Sequence, residues 1–137
     1  MKTFSRTVRI EWGDCDPANI VYFPRYFTFF DDCTAAMFAA VGLPKQRLIR
    51  DFDLIGFAVV DVRGHFHAPS TFGEEVQIHS CIAKWGRSSF HVQHRAMKGD
   101  ALAVEGFETR VLVGRHPADA NRMKARPIPP EVIERFA

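Results

Sequence analysis

Residues 24–41 form the segment that most restricts this chain, because their pattern suits a helix enclosed by the rest of the protein. Pro24 suits a first helical position, and Gly42 and Pro44 close the other end as helix C-termini commonly do. At about 100° per residue, Arg25, Thr28, Asp31 and Asp32 gather on one narrow stripe. Phe27, Phe29, Phe30, Met37, Phe38 and Val41 cover most of the remaining circumference. A helix this apolar around its axis is largely buried, so the pattern predicts a central helix that another layer must cover.

The rest of the chain supplies that layer. Phe4–Trp12 alternates in part, with Phe4, Val8, Ile10 and Trp12 on one parity, and predicts a first strand. Gly13–Phe23, with Gly13, Pro17 and Asn19, breaks the pattern as an ordered loop. A short helix is expected over Lys45–Asp51. Strands follow over Ile55–His67, Glu75–Trp85, Ser88–Met97 and Ala101–Val113, the last two joined by the turn Lys98-Gly99-Asp100. Strands joined in succession by short turns favour an antiparallel sheet, and one buried helix against such a sheet is an α+β architecture. The proline-rich, basic stretch Pro117–Ala137 ends in a short helix from Glu131.

Composition bounds the function. A length of 137 residues fits one domain, residues 1–137. Thirteen phenylalanines are more than one small core needs, which points to an oligomer interface or an apolar pocket. The formal net charge of +2, without an aromatic-interleaved basic stripe, argues against nucleic acid as a partner. Basic residues crowd into Arg110–Arg126, which suits either the phosphates of a nucleotide-based cofactor or a solvated tail. Cys15, Cys33 and Cys81 lack ligand or disulfide spacing, so no metal is expected. Without a signal-like apolar run near the N-terminus or a membrane-length segment, a cytoplasmic protein with no membrane partner is expected.

The chemistry concentrates in residues 12–24. Asp14 and Asp16 lie in a loop between a strand and the start of a buried helix, where unpaired N–H groups and a partial positive charge can hold an oxyanion. A carboxylate there can attack a carbonyl carbon or deprotonate a water beside it. Pro24 has no N–H, so Phe23 is the simplest donor. On spacing alone, the commoner role of such aspartates is only to satisfy loop N–H groups. An Asp-x-Asp phosphatase reading requires a parallel sheet, which the run of later strands argues against. His65 and His67 share a strand face without a third metal ligand. Glu74 and Glu75 fit a turn, Cys15 fits packing, and Asp32 fits solvent or Arg25.

The stretch from Gly13 through Asp16-Pro17-Ala18-Asn19 to Tyr22-Phe23-Pro24-Arg25-Tyr26 resembles the active-site loop of the 4-hydroxybenzoyl-CoA thioesterases. Pro69–Glu75 and Lys84–Phe90 resemble two further stretches of that family, and the likeness spans roughly Arg6 to Val113. The resemblance implies a hotdog fold, an antiparallel sheet wrapped around a long central helix. It implies an acyl-CoA thioesterase acting on an aromatic acyl group, with CoA part of the substrate and no separate cofactor. Asp16 would be the catalytic carboxylate and the Phe23 amide the carbonyl-polarising donor. Tyr22 and Asp31 would contact substrate, and Arg87, Ser88 and Ser89 would bind CoA. Asn19 stands where glycine is common, and Tyr22-Phe23 replaces the Tyr-His pair of the Tol–Pal-associated branch. A homodimer or homotetramer with shared sites is implied. Short-chain aliphatic acyl-CoA hydrolysis and non-catalytic acyl-CoA binding are the rival readings.

Overall fold

A computed structural model describes residues 2–137. The order of elements is β1 (Phe4–Arg9), α1 (Pro24–Ala40), α2 (Lys45–Phe52), β2 (Gly56–Phe66), β3 (Glu75–Trp85), β4 (Ser89–Lys98), β5 (Ala101–Arg115), β6 (Met123–Ala125) and α3 (Pro130–Arg135). The sheet is antiparallel in the order β1-β3-β4-β5-β2, with β6 added beside the end of β5. Helix α1 crosses one face of the sheet, so the architecture is the expected α+β hotdog arrangement. Among the described residues, no helix is long and apolar enough to cross a membrane.

Strand periodicity fixes which side chains meet α1. Val76, Ile78 and Ile82 of β3, Phe90, Val92 and Ala96 of β4, and Val104 and Leu112 of β5 are buried against it. From α1, the buried positions Tyr26, Phe29, Phe30, Cys33, Thr34, Met37 and Phe38 repeat at the spacing of one helical face. The opposite face, with Thr28, Asp31, Asp32 and four alanines at 35, 36, 39 and 40, is exposed. The expected burial of α1 around most of its circumference is therefore corrected to one face in a single chain. Four of the positions that the helical wheel left apolar are alanines, which demand little burial.

Two other expectations change. The first strand stops at Arg9, and Trp12 begins a 3-10 turn, Trp12–Asp14, with its side chain 72% exposed. Parity favoured a longer strand, but the Asp14 carboxylate accepts the Glu11 N–H at 2.9 Å and turns the chain. Strand β6, a three-residue segment, had no alternation to announce it.

The core divides in two. One cluster surrounds Phe38, Phe90, Leu112, Val132 and Phe136; the other surrounds Tyr26, Phe30, Val76, Ile78 and Val104. Between them lies a polar layer: Thr34 of α1, Ser80 of β3, His94 of β4, and Glu108 and Arg110 of β5, all buried. Phe30 stacks on the His94 ring at 4.7 Å and 6°, and its own ring fills the space where a Cβ on Gly106 would sit.

Candidate active site

Backbone bonds tie the loop after β1 to the sheet. Ile10 N–H donates to Glu74 O and Gly73 N–H to Ile10 O, each at 2.9 Å. Cys15 and Val21 form an isolated bridge, Asp16 N–H donates to Ile20 O at 3.0 Å, and Val21 N–H donates to Ser70 O at 2.9 Å. Asn19 closes this small hairpin at φ 65°, a left-handed conformation that Asn tolerates better than most non-glycine residues. That explains how Asn19 serves where the resembled family commonly has glycine.

The two aspartates have different surroundings. Asp14 is bound into the fold: its carboxylate accepts the Glu11 N–H, its carbonyl accepts the Tyr22 N–H at 2.8 Å, and Arg25 lies 4.0 Å from it. Arg25 thus faces Asp14 rather than Asp32. Asp16 is half-buried, and its Oδ1 accepts the Ala18 N–H at 2.9 Å. Among the described residues no donor reaches Asp16 Oδ2. The side chain lines an open hollow of about 580 Å³ with Trp12, Cys15, Pro17 and Asn19. Asp14 therefore matches the loop-satisfying role, whereas one Asp16 oxygen is left without a donor among the described residues.

Phe23 is the N-cap of α1. Arg25 N–H donates to Tyr22 O at 2.8 Å and Tyr26 N–H to Phe23 O at 3.1 Å. Among the described residues the Phe23 N–H meets no acceptor. It stands at the positive end of a 17-residue helix.

Beyond Phe23 lies a second hollow of about 370 Å³, lined by Ile20, Val21, Tyr26, Phe66 and Ser70 among others. It is an aromatic enclosure, with the Phe23 and Phe66 rings 6.3 Å apart and the Tyr26 and Phe66 rings 5.9 Å apart. Tyr22, beside Phe23 at 5.7 Å, is 51% exposed. The Tyr26 hydroxyl and Ser70 Oγ are buried without a hydrogen-bond partner. Burial raises the Tyr26 phenol above its ordinary value, partly opposed by the nearby Ser70 hydroxyl and Lys98. Sequence reasoning singled out neither residue. The available signal was a tyrosine on the buried side of α1, which needs somewhere to send its hydroxyl.

The other sequence candidates lie elsewhere in the chain. Asp31 is about two helical turns beyond Phe23, with its side chain 64% exposed and Oδ1 2.7 Å from Arg110 Nη2. Arg87 and Ser88 lie in the β3–β4 turn and Ser89 opens β4; Arg87 O accepts the Ile128 N–H and Ser88 O the Leu112 N–H, each at 2.8 Å. The Asp16 loop is fastened at the start of β3 and this turn follows its end, so the strand separates them by roughly 30 Å. One chain thus places Asp16, Tyr22 and Phe23 in or next to one small hairpin, with Asp16 lining one hollow and Phe23 the other, and it does not bring Asp31 or the 87–89 segment to them. The two histidines divide: His67 lines the hollow beyond Phe23, with its Nε2 3.1 Å from Glu105, whereas His65 is not among its lining residues and its ring packs near Phe107. Among the described residues, no three His, Cys, Asp or Glu side chains converge for a metal.

A family model described as the thioesterase-like superfamily matches residues 10–136. The chain belongs to that superfamily. It is 33% identical over 132 residues to the 4-hydroxybenzoyl-CoA thioesterase of Pseudomonas sp. strain CBS-3, covering 92% of each chain. Its fold is similar to that of a 4-hydroxybenzoyl CoA thioesterase variant solved with 4-hydroxybenzoyl CoA, at a TM-score of 0.92 and 26% identity over the full length of both chains. It is also similar to a gentisyl-coenzyme A thioesterase, at a TM-score of 0.82 and 29% identity over 97% of this chain and 98% of the other. The hotdog fold and membership among thioester hydrolases are therefore established.

Proposed function

We propose that this protein hydrolyses aromatic acyl-CoA thioesters to the free acid and CoA, with Asp16 as the catalytic carboxylate. The observation that carries this is the presence, in one loop, of an unpartnered Phe23 amide at the start of α1 and of a carboxylate, Asp16, that keeps one oxygen without a donor among the described residues. The aromatic enclosure beside Phe23 and the hydroxybenzoyl and gentisyl substrates in the relatives' names support an aromatic acyl group.

The thioester carbonyl oxygen accepts the Phe23 N–H, and the helix start stabilises the negative charge that develops there. In one route Asp16 takes a proton from water as the hydroxide adds to the carbonyl carbon. The tetrahedral intermediate then expels CoA thiolate, which takes up the proton. In the other, Asp16 itself adds and expels CoA thiolate, leaving a mixed anhydride that water opens to the acid and free Asp16. CoA enters and leaves as substrate and product, so neither route requires a separate cofactor. CoA thioesters are intracellular metabolites, which supports a cytoplasmic enzyme.

The complete site is shared between copies. Strand β2 is an 11-residue sheet edge with Val59, Val60 and Val62 exposed, and such an edge is normally covered. Pairing it with the β2 of a second copy gives a homodimer with one continuous sheet. Asp31 from one copy then serves the acyl group held at Asp16 and Phe23 of another, and a homotetramer brings in Arg87, Ser88 and Ser89 for CoA phosphates. A turnover screen reading free-thiol release from benzoyl-, hydroxybenzoyl-, acetyl- and hexanoyl-CoA tests the assignment. An aromatic thioester should give the highest kcat/KM. A straight-chain substrate that outperforms every aromatic one would overturn it.

A further inference from the structure

The polar layer across the core ends at Asp31. Ser80 Oγ lies 2.7 Å from His94 Nδ1, and His94 Nε2 lies 3.0 Å from Glu108 Oε2. Glu108 Oε1 accepts from Thr34 Oγ1 and from Arg110 Nε, each at 2.8 Å. Arg110 Nη2 then donates to Asp31 Oδ1 at 2.7 Å. One set of protons satisfies the whole chain: Ser80 donates to His94, His94 donates to Glu108, and Arg110 donates to both carboxylates. The interior members are dry, with side-chain exposures of 0% for His94, 2% for Glu108 and 7% for Arg110, whereas Asp31 is 64% exposed.

We propose that His94, Glu108 and Arg110 position Asp31 and keep its negative charge available to a polar substituent of the acyl group. The proposal rests on the reading above that Asp31 serves the acyl group of a shared site. A buried ion network is weak evidence for stability, because desolvating the charges costs about as much as their attraction returns. Its geometry here has a direction, from the core to one surface carboxylate. Arg110 alone would neutralise Asp31. Glu108 divides that guanidinium, so the trio of Asp31, Arg110 and Glu108 carries one net negative charge, presented at the helix surface. Asp31 Oδ1 is held by Arg110, and among the described residues no donor reaches Oδ2. A cavity of about 70 Å³ lies beside it, lined by Phe38, Lys45, Phe57 and Arg110 among others. That hollow has room for a small polar group such as a hydroxyl or a few waters beside Asp31.

The test is paired steady-state kinetics with 4-hydroxybenzoyl-CoA and benzoyl-CoA. Glu108→Gln keeps the shape of the side chain and removes its charge. Its ratio of kcat/KM for the hydroxylated over the bare substrate should fall about fivefold or more, with Asp31→Asn falling at least as far. Combining the two changes should add little to Asp31→Asn alone, because both act through one carboxylate. Equal losses on both substrates, or effects that add in full, would assign the network to the fold alone and overturn the proposal. If Glu108→Gln folds poorly, the joint replacement Glu108→Met with Arg110→Met removes the buried charges together and leaves Asp31 charged but unheld. The ratio should still fall, by less than in Asp31→Asn, and a ratio equal to the parent's would overturn the positioning role. An unchanged ratio in Asp31→Asn, or an unmodified enzyme inactive on aromatic thioesters, would sink the shared-site reading and this proposal together. A changed ratio in Asp31→Asn with none in Glu108→Gln would sink the positioning role only.

Discussion

The Tyr22 amide donates to the Asp14 carbonyl oxygen at 2.8 Å, and that bond helps decide which amide of the loop is left for a ligand. Pro24 has none to offer, while Arg25 and Tyr26 donate to Tyr22 O and Phe23 O. The Phe23 N–H remains. Under the proposed function, Asp14 serves catalysis by holding the loop, and Asp16 by contact with the reacting atoms.

This division of labour is separable by mutation. Asp16→Asn should lower kcat by about 10²-fold or more while substrate binding stays measurable, the scale usual for loss of an acid–base group. Asp14→Asn retains an oxygen that can accept the Glu11 N–H, so it should cost less than about tenfold in kcat/KM. Equal losses in the two variants would show that the wrong carboxylate has been assigned.

Gly106 tests the packing beneath α1. It sits in β5 between His94 of β4 and Gly64 of β2, so the backbone is held from both sides. An added Cβ would meet the Phe30 ring, itself stacked on His94. Gly106→Ala should destabilise by about 1–3 kcal/mol, the usual cost of overpacking a filled core. Adding Phe30→Leu should recover part of that loss. Urea unfolding midpoints of the three proteins check it, and a Gly106→Ala protein as stable as its parent would show that α1 lifts freely.

The sheet and α1 were legible because their periodicities are long: α1 has a seven-residue buried set, and β3, β4 and β5 alternate over ten or more residues. Trp12 misled because its parity fits a strand while the Asp14 cap overrides it locally. The Asp16 loop was visible through a dense motif, and the aromatic pocket only as a surplus of phenylalanine. The polar layer was half visible. His94, Glu108 and Arg110 fall in the buried register of their strands, between Val92 and Ala96 and before Leu112. Their pairings were hidden because the partners are far apart in the chain: 79 residues separate Arg110 from Asp31. One strand's alternation also cannot show which edge a second copy covers.

Arg87 is expected to act on binding rather than on chemistry. It is exposed in the β3–β4 turn, whose backbone is anchored through Ser88 O and its own carbonyl, so its side chain can change without moving the turn. Arg87→Ala should raise KM more than it lowers kcat, because a contact remote from the thioester contributes mainly uniform binding. The difference should shrink as salt screens an exposed pair. An unchanged KM at low ionic strength would remove Arg87 from the CoA site.

Acid stability gives a readout of the buried layer that does not depend on substrate. Burial alone would raise the Glu108 carboxyl, but hydrogen bonds from His94 and Arg110, together with the guanidinium charge, outweigh it and hold the group below its ordinary value. The folded state therefore binds this proton less readily than the unfolded chain does. Its contribution to stability is fully present above the unfolded carboxyl value, near ~4.3, and is lost as pH falls through the lower folded value. Urea unfolding at fixed protein concentration should give a free energy that this group leaves flat from pH 7 to about pH 5 and that declines below about pH 4.5. Glu108→Gln should start lower at pH 7 and lose part of that decline, because one proton-linked step is gone. Glu74 is also depressed, by Lys98 and the Thr71 N–H, but lies at the surface, where an ion pair contributes little. Glu74→Gln should therefore leave the acid limb nearly intact. Parallel acid limbs in the parent and Glu108→Gln proteins would mean that Glu108 titrates alike folded and unfolded, and that the buried layer carries no linked charge.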